Sequence, residues 1–189
     1  MNQSVRFDFS TFPMLTTDRL LLREVAPADA ADVFVFRSDY EVQKYNGETM
    51  QEIAEATTLI DLMAEKFRAQ EWICWGITLR EEQRVVGLCS FHNISTYQRS
   101  VSIGYDLART HWRQGIATEA VGAIIRFGFT QMNLNRIEVA TCIDDLPSVR
   151  LVERLGFQRE GIRREATLED DGLFHGIGIF GLLRREYAL

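Results

Sequence analysis

The chain has 189 residues, of which 46% are hydrophobic and 25% are charged, and its net charge is −6. This length and composition predict a single globular domain, covering residues 1–189, with enough apolar residues for a core. The acidic balance argues against a nucleic-acid-binding protein, whose binding face is usually basic, and it is compatible with a cationic small-molecule partner.

The first half of the sequence predicts one strand, two helices and a meander of three strands. Residues 19–25 predict the first strand, and Pro27 starts a helix that continues to Arg37. Residues 51–69 place apolar side chains along one face, which predicts a longer helix. The three strands of the meander are predicted at residues 72–79, 85–94 and 100–107.

The second half predicts a long helix, a strand, a short helix and a closing pair of strands. The long helix covers residues 114–132, a strand follows at 136–143, and Gly156 ends a short helix over 147–155. The closing antiparallel pair is predicted at residues 157–163 and 174–183. Because strands outnumber crossover helices, the fold class is predicted to be α/β with one mixed, mostly antiparallel central sheet flanked by helices.

The start of the predicted helix 114–132 is the most informative segment. From His111 to Thr118 there is no Asp or Glu, and Glu119 is the first acid. A helix N-terminus usually attracts acids, because its free N–H groups and its dipole favour negative charge. An acid-free start with Arg113 and Gly115 therefore predicts an external anion, such as a phosphate. The alternative is an ordinary surface helix with a chance glycine, because short glycine motifs recur by chance.

The cysteines and the hydropathy of the chain indicate the cellular compartment in which the protein is expected. Cys74, Cys89 and Cys142 lie apart in apolar runs, which predicts buried free thiols in a reducing compartment. The histidines show no metal-ligand spacing with them and none is adjacent in sequence, so neither a metal nor a cysteine nucleophile is expected. No signal-peptide core or membrane-length apolar run is present, which predicts a cytoplasmic protein without membrane contact.

Five segments together resemble the GNAT family of N-acetyltransferases, and within it the RimJ/RimL-type branch that acetylates ribosomal proteins. Residues 17–23 are similar to that branch's opening strand, 103–107 to its fourth strand and 112–117 to its pyrophosphate loop. Residues 148–157 resemble the second CoA-side motif, and 181–187 resemble the closing strand. The resemblance covers nearly the whole chain and implies acetyl-CoA as co-substrate, an amine acceptor and no metal.

The resemblance also implies a cofactor site where the fourth and fifth strands diverge. A bulge near Tyr105–Leu107 would free backbone groups for the pantetheine arm, and backbone amides at the helix start would hold the pyrophosphate. The implied cofactor-binding residues are Tyr105, Asp106, Leu107, Arg113, Gln114, Gly115, Ile116, Ala117, Thr118, Asp145 and Ser148.

Two positions depart from the family pattern. Trp112 stands where the family generally has Gln or Arg, although this branch often has Trp there. Asp145 stands where the branch usually has Asn, and an ionised Asp accepts but cannot donate a hydrogen bond. An Asn-like contact at Asp145 is therefore left open.

Acetyl transfer to an amine needs a proton acceptor and a proton donor. A free lysine-type amine has a pKa near ~10.4, so a base or a water chain must first remove its proton. Leu151 and Val152 occupy the region where many relatives have a donor tyrosine, and the resemblance assigns the donor role to Ser148. The alternatives for Ser148 are a helix cap or a CoA contact.

The base is less well marked in the sequence. From Val85 to Tyr105 there is no Asp or Glu, and His92 is the one group on its strand that titrates near neutrality. Glu138 on the fifth strand is the second candidate. The alternatives are a structural histidine and a solvent-facing glutamate.

The sequence therefore predicts an N-acetyltransferase that transfers the acetyl group directly to a primary amine. The acceptor is open among protein N-termini, polyamines, amino acids and amino-sugar drugs, because its pocket comes from the variable residues 38–71. A homodimer is one option for the assembly. The alternative function is an acyl-CoA-binding sensor or scaffold without efficient turnover, which the missing carboxylate before Tyr105 favours.

Overall fold

One mixed sheet organises the protein, as a computed structural model of the chain describes for residues 7–187. Within these residues the sheet has eight strands in the order β1-β2-β3-β4-β5-β6-β8-β7. The strands are β1 (Leu15–Thr16), β2 (Leu20–Glu24), β3 (Ile73–Leu79), β4 (Val85–Ser95), β5 (Ser100–Leu107), β6 (Arg136–Cys142), β7 (Gln158–Leu168) and β8 (Phe174–Leu183). The helices are α1 (Ala30–Arg37), α2 (Tyr40–Gln43), α3 (Ile53–Arg68), α4 (Ile116–Thr130) and α5 (Leu146–Arg154).

The predicted fold class is confirmed, and the differences lie in short or irregular elements. Strand β1 and helix α2 were not predicted, because two and four residues are too short to show a hydrophobic period. Strand β7 continues to Leu168, five residues beyond the predicted end at Arg163, after an irregularity in its pairing with β8. Helix α4 starts at Ile116 and not at Gln114.

The sheet opens between β5 and β6. These strands are parallel and pair through Ser100–Ser102 and Arg136–Glu138. The other neighbouring strands of the described sheet are antiparallel. Beyond Ser102 and Glu138 no β5–β6 pair is formed within residues 7–187, so the two strands diverge into a wedge. The prediction that the fourth and fifth long strands separate is therefore confirmed.

The predicted bulge near Tyr105–Leu107 is wrong. Strand β5 pairs with β4 without interruption from Leu107–Gly87 to Ser102–His92, and the irregularity falls between His92 and Ser95. Beyond Ser102 the backbone groups of β5 that face β6 have no partner on β6, because β6 moves away, and no bulge is needed to release them. At the end of the strand the Leu107 carbonyl accepts a hydrogen bond from Trp112 Nε1 at 2.7 Å.

Apolar layers cover both faces of the sheet. Buried side chains of α4, such as Ile124 and Phe129, pack with Trp75 and Phe91 on one face. On the other face, α1 and α3 pack against a smaller cluster that includes Leu88. Alternation along β4 sends neighbouring residues to opposite layers, as expected for a sheet buried on both sides. Among residues 7–187 no helix is long and apolar enough to cross a membrane.

Gly87 fixes how closely β4 approaches the strand that borders the wedge. A Cβ at this position would lie 2.5 Å from the Asp106 carbonyl oxygen and 3.0 Å from the Leu107 Cα. We expect Gly87→Ala to lower the free energy of unfolding by about 1–3 kcal/mol, because overpacking against backbone cannot relax by side-chain rotation. Urea denaturation measures the change. Gly161→Ala in β7 is the control, since nothing lies within 4 Å of a Cβ there; equal midpoints for the two variants would contradict the prediction.

Candidate active site

A cleft of about 810 Å³ lies at the wedge between β5 and β6. This volume is within the range of small-molecule sites. Its walls are the end of β5, the start of α4, the start of α5 and the α2 segment. The cleft thus brings together two segments, 105–107 and 145–148, that the sequence analysis assigned to one cofactor site.

The start of α4 forms the wall at which an anion is expected. Gly115 is the N-cap residue and has a φ of +77°, a left-handed conformation that favours glycine. Arg113, Gly115 and the first three residues of the helix line the cleft. The first N–H groups of a helix have no partner within it, so they are available to an anion.

Gln114 does not line the cleft with its neighbours. Its carbonyl oxygen accepts a hydrogen bond from Arg19 Nη1 at 2.9 Å, and its side-chain amide donates to the Thr110 carbonyl at 2.9 Å. Both contacts hold the loop before α4 and draw Gln114 away from the cleft. Of the five residues whose amides were implied to hold the pyrophosphate, Gln114 is therefore the one that does not line the cleft.

Glu119 does fall in the first turn of α4, because the helix starts two residues later than predicted. The prediction of an acid-free first turn is corrected to this extent. Glu119 accepts hydrogen bonds from the Thr17 hydroxyl at 2.6 Å and from Arg19 Nε at 2.7 Å. Burial opposes ionisation, but these hydrogen bonds hold the pKa of Glu119 below its usual range. The carboxylate is thereby engaged outside the cleft.

Tyr105, Asp145 and Ser148 meet at the opposite wall. The Asp145 carboxylate accepts a hydrogen bond from the Ser148 N–H at 3.2 Å and caps α5. The Tyr105 hydroxyl donates to the Ser148 carbonyl at 3.5 Å, and burial raises the pKa of this phenol to about 12. The cap is therefore Asp145, so a capping role for Ser148 is not what the structure shows. In this contact the Asp145 side chain accepts a hydrogen bond, which an Asp oxygen can do as well as an Asn oxygen.

Asp106 borders the cleft, but its side chain points to the α1 layer. The carboxylate is buried, and its Oδ2 lies 2.7 Å from Arg37 Nε. Burial raises the pKa of Asp106, and the charge of Arg37 opposes this rise. The Asp106 carboxylate is therefore engaged by Arg37 outside the cleft, and its role in cofactor binding stays a prediction.

The structure does not bring the two predicted bases into the cleft. His92 faces away from α4, beside Gly104, and lines a separate cavity of about 400 Å³ with Trp72. Burial lowers the pKa of His92. Glu138 is half-exposed and accepts from Arg136 Nε at 2.6 Å. Their catalytic roles stay predictions, and neither side chain is among the residues that line the cleft.

Several residues that line the cleft were missed in the sequence. Lys44 and Tyr45 follow the unpredicted helix α2, and His111 lies in a short 3-10 turn before α4. Asp144 lines the cleft and binds His175 of β8, a contact between residues that are far apart in sequence. No local pattern marks the Asp144–His175 contact, because the pairing of β6 with β8 creates it.

The cysteines are buried and free, as predicted. Burial raises the pKa of all three thiols. No histidine is adjacent to a cysteine in sequence, but the fold brings Cys142 Sγ within 4.8 Å of a ring nitrogen of His175.

Comparison with known proteins places this geometry among acetyltransferases. Residues 19–158 match the family described as the acetyltransferase (GNAT) domain. The chain is 37% identical to p20, an uncharacterised N-acetyltransferase of Bacillus licheniformis, over 92% of this chain and 98% of that protein. It is 36% identical to YoaA, an uncharacterised N-acetyltransferase of Bacillus subtilis, over 82% of this chain and 88% of that protein.

A solved structure supports the same fold. RimJ of Mycobacterium smegmatis in complex with CoA-disulfide superposes with a TM-score of 0.81 at 23% sequence identity, over 90% of this chain and 84% of that chain. At this identity the likeness establishes the fold alone.

The left-handed Gly115 provides a direct test of the anion site. We expect Gly115→Glu to weaken CoA binding by about tenfold or more, about 1.4 kcal/mol, because it adds bulk and negative charge where N–H groups are free. Calorimetric titration of CoA into the folded variant measures the loss.

Gly172→Glu is the matched control, because Gly172 has the same φ of +77° and lies in the β7–β8 turn. It carries the same backbone strain and the same added charge at a residue that does not line the cleft. Equal losses of affinity in the two variants would show that the anion binds elsewhere.

Proposed function

Because the chain belongs to the GNAT family of acetyltransferases and is an acetyl-CoA-dependent N-acetyltransferase, we propose that it transfers the acetyl group directly to a primary amine. The observation that carries the proposal is the wedge between β5 and β6, with the free start of α4 on one wall and Tyr105 and Ser148 on the other. The acceptor is a protein N-terminus or a small amine.

The residues of the wedge fit the chemical parts of acetyl-CoA. Its pyrophosphate needs N–H donors without a competing carboxylate, which the start of α4 offers while Glu119 is bound by Arg19. Its pantetheine arm carries amide groups, and the unpaired edge of β5 beyond Ser102 offers backbone partners for them. When bound, acetyl-CoA supplies the activated acetyl group; the residues of the chain bind it, orient it and move protons.

Direct transfer follows from the state of the cysteines. An acetyl-enzyme formed on cysteine would need an activated thiolate beside the cleft. The thiols of Cys74 and Cys89 are buried in the apolar layers, and burial raises the pKa of both. Burial also raises the pKa of Cys142, which does not line the cleft. Attack by the amine while both substrates are bound therefore requires no enzyme nucleophile.

Ser148 is the proposed proton donor to the departing thiolate, and Tyr105 is the second candidate. Both residues line the cleft at the same wall. The phenol of Tyr105 has a pKa raised to about 12 by burial, so it remains protonated at neutral pH and able to donate. Its hydrogen bond to the Ser148 carbonyl holds it close to the start of α5.

The base is proposed to be His92, acting through water. Burial lowers its pKa, so the imidazole is neutral and can accept a proton at neutral pH. Gly104 lies between His92 and Tyr105 in the pairing of β4 with β5 and carries no side chain to close the space. A water chain across Gly104 would connect the His92 cavity with the wedge. Glu138 is the alternative base.

The kinetic order tests the proposed function. We expect CoA release with at least one primary amine from a panel of an N-terminal peptide, spermidine, an amino acid and an aminoglycoside. Double-reciprocal plots of the initial rate, at several concentrations of both substrates, should give intersecting lines, because both substrates must be bound together. Parallel lines would indicate an acetyl-enzyme and overturn direct transfer. Tight acetyl-CoA binding without release across the panel would support the sensor or scaffold function.

The proton donor is tested with two conservative variants. We expect Ser148→Ala to lower kcat by about 10²–10⁴-fold with little change in the KM for acetyl-CoA, because a general acid acts in the transition state. Tyr105→Phe keeps the ring packing and should change kcat far less. The reverse ranking would assign the proton to Tyr105, and a rise in KM alone would make Ser148 a cofactor contact.

The base is tested by the pH dependence of kcat/KM with one good acceptor. We expect kcat/KM to fall as the pH drops through the pKa of His92, which burial places below the ordinary histidine range. His92→Gln should remove this acid limb, whereas Glu138→Gln should retain it. If only the Glu138 variant loses the limb, the base is Glu138.

A further inference from the structure

We propose that Cys142, Asp144 and His175 form a binding site for a transition-metal ion of the Zn²⁺ class. This inference goes beyond acetyl transfer and does not depend on it. A thiol sulfur, a carboxylate oxygen and an imidazole nitrogen of these residues all lie within 4.8 Å of one another. The Cys142 Sγ is 3.9 Å from Asp144 Oδ2, and His175 Nδ1 is 2.6 Å from the same oxygen.

The three donor atoms determine the class of metal. Sulfur, nitrogen and oxygen together are a donor set of zinc sites, whereas Mg²⁺ and Ca²⁺ prefer oxygen ligands alone. The cysteine is free and buried, so its sulfur is not used in a disulfide. The set therefore points to a borderline ion, with Zn²⁺ and Co²⁺ as its best probes.

A fourth residue orients the histidine. His175 Nε2 contacts the Asp171 carboxylate at 2.9 and 3.1 Å, which leaves Nδ1 directed at Asp144. Metal-binding histidines commonly hold their second ring nitrogen on a carboxylate in this way, and the contact fixes the ring and strengthens the ligand.

The distances fit a site that closes around an ion with small movements. Ligand atoms bound tetrahedrally to Zn²⁺ at about 2.0–2.3 Å lie roughly 3.3–3.6 Å from one another. The sulfur–oxygen distance of 3.9 Å needs to shorten slightly, and the hydrogen-bonded 2.6 Å contact needs to lengthen as the metal replaces the bridging proton. The half-exposed Asp144 lies in the loop after β6 and can make this adjustment.

The topology leaves one coordination position toward the cleft. Cys142 pairs with Ile177 in the β6–β8 ladder, which places it two residues from His175 on the adjacent strand. Asp144 lines the cleft, so an ion at this oxygen has access to water or to a bound molecule there. Three protein ligands with a fourth open position are typical of reactive zinc sites, and structural sites usually have four.

Cobalt substitution in the full chain tests the site directly. We expect one equivalent of Co²⁺ to give a thiolate-to-cobalt charge-transfer absorption, and Zn²⁺ to displace it. Cys142→Ser should abolish this absorption, and Cys89→Ser, which removes another buried thiol, should leave it unchanged. Asp171→Asn should retain the absorption but weaken Zn²⁺ binding by about 10- to 100-fold, because it removes the carboxylate behind the histidine.

The same measurements can overturn the proposal. Absence of the thiolate absorption in the unaltered protein, or its persistence in Cys142→Ser, would exclude this site. If Cys142→Ser fails to fold, His175→Gln gives the answer, because this half-buried side chain lies at a strand end and its loss should abolish one-equivalent binding. Cobalt binding of equal strength in His175→Gln would assign the metal to other residues.

Discussion

The loss of pairing between β5 and β6 is the constraint on which the rest of the protein depends. Parallel strands held by only three residue pairs are joined at one end and separate at the other. The free ends leave backbone donors and acceptors that must find other partners. Helices α4 and α5 start at the rim of this opening, so the free N–H groups of α4, the capped start of α5 and the edge of β5 surround one volume. The cleft exists because the pairing of β5 with β6 stops after three residue pairs.

The two walls of the opening are stabilised by different means. On the α4 side, Arg19 binds both Glu119 and the Gln114 carbonyl, so one side chain orients the helix acid and the preceding loop together. On the α5 side, the Asp145 carboxylate caps the helix and the Tyr105 hydroxyl donates a hydrogen bond to the Ser148 carbonyl. The first wall is charged and partly exposed, and on the second wall the phenol of Tyr105 is buried. The proposed anion site thus lies on a different wall from the proposed proton donors.

The sequence predicted the long elements, because they depend on local periodicity, and it singled out the start of α4, where a single backbone conformation matters. The Gly115 position is an example, since its left-handed φ is a property of that residue alone. The sequence did not predict the position of His92, because a strand residue's face depends on register with its neighbours. It also missed the association of Cys142 with His175, which only the β6–β8 pairing creates. The error at Glu119 came from a shift of two residues in the start of α4. The expected bulge came from the family resemblance, whereas β5 pairs with β4 without interruption at those residues.

Dissolved salt should act on the α4 wall of the cleft in two ways, on the Arg19–Glu119 ion pair and on a bound phosphate. The Arg19 side chain is 49% exposed, so dissolved salt reaches this pair and screens it. Salt also screens any phosphate at the start of α4. When salt weakens its ion pair with Arg19, the Glu119 carboxylate adds more negative potential at the start of α4. Cofactor affinity should fall more steeply with added salt than the charge of the ligand alone would require.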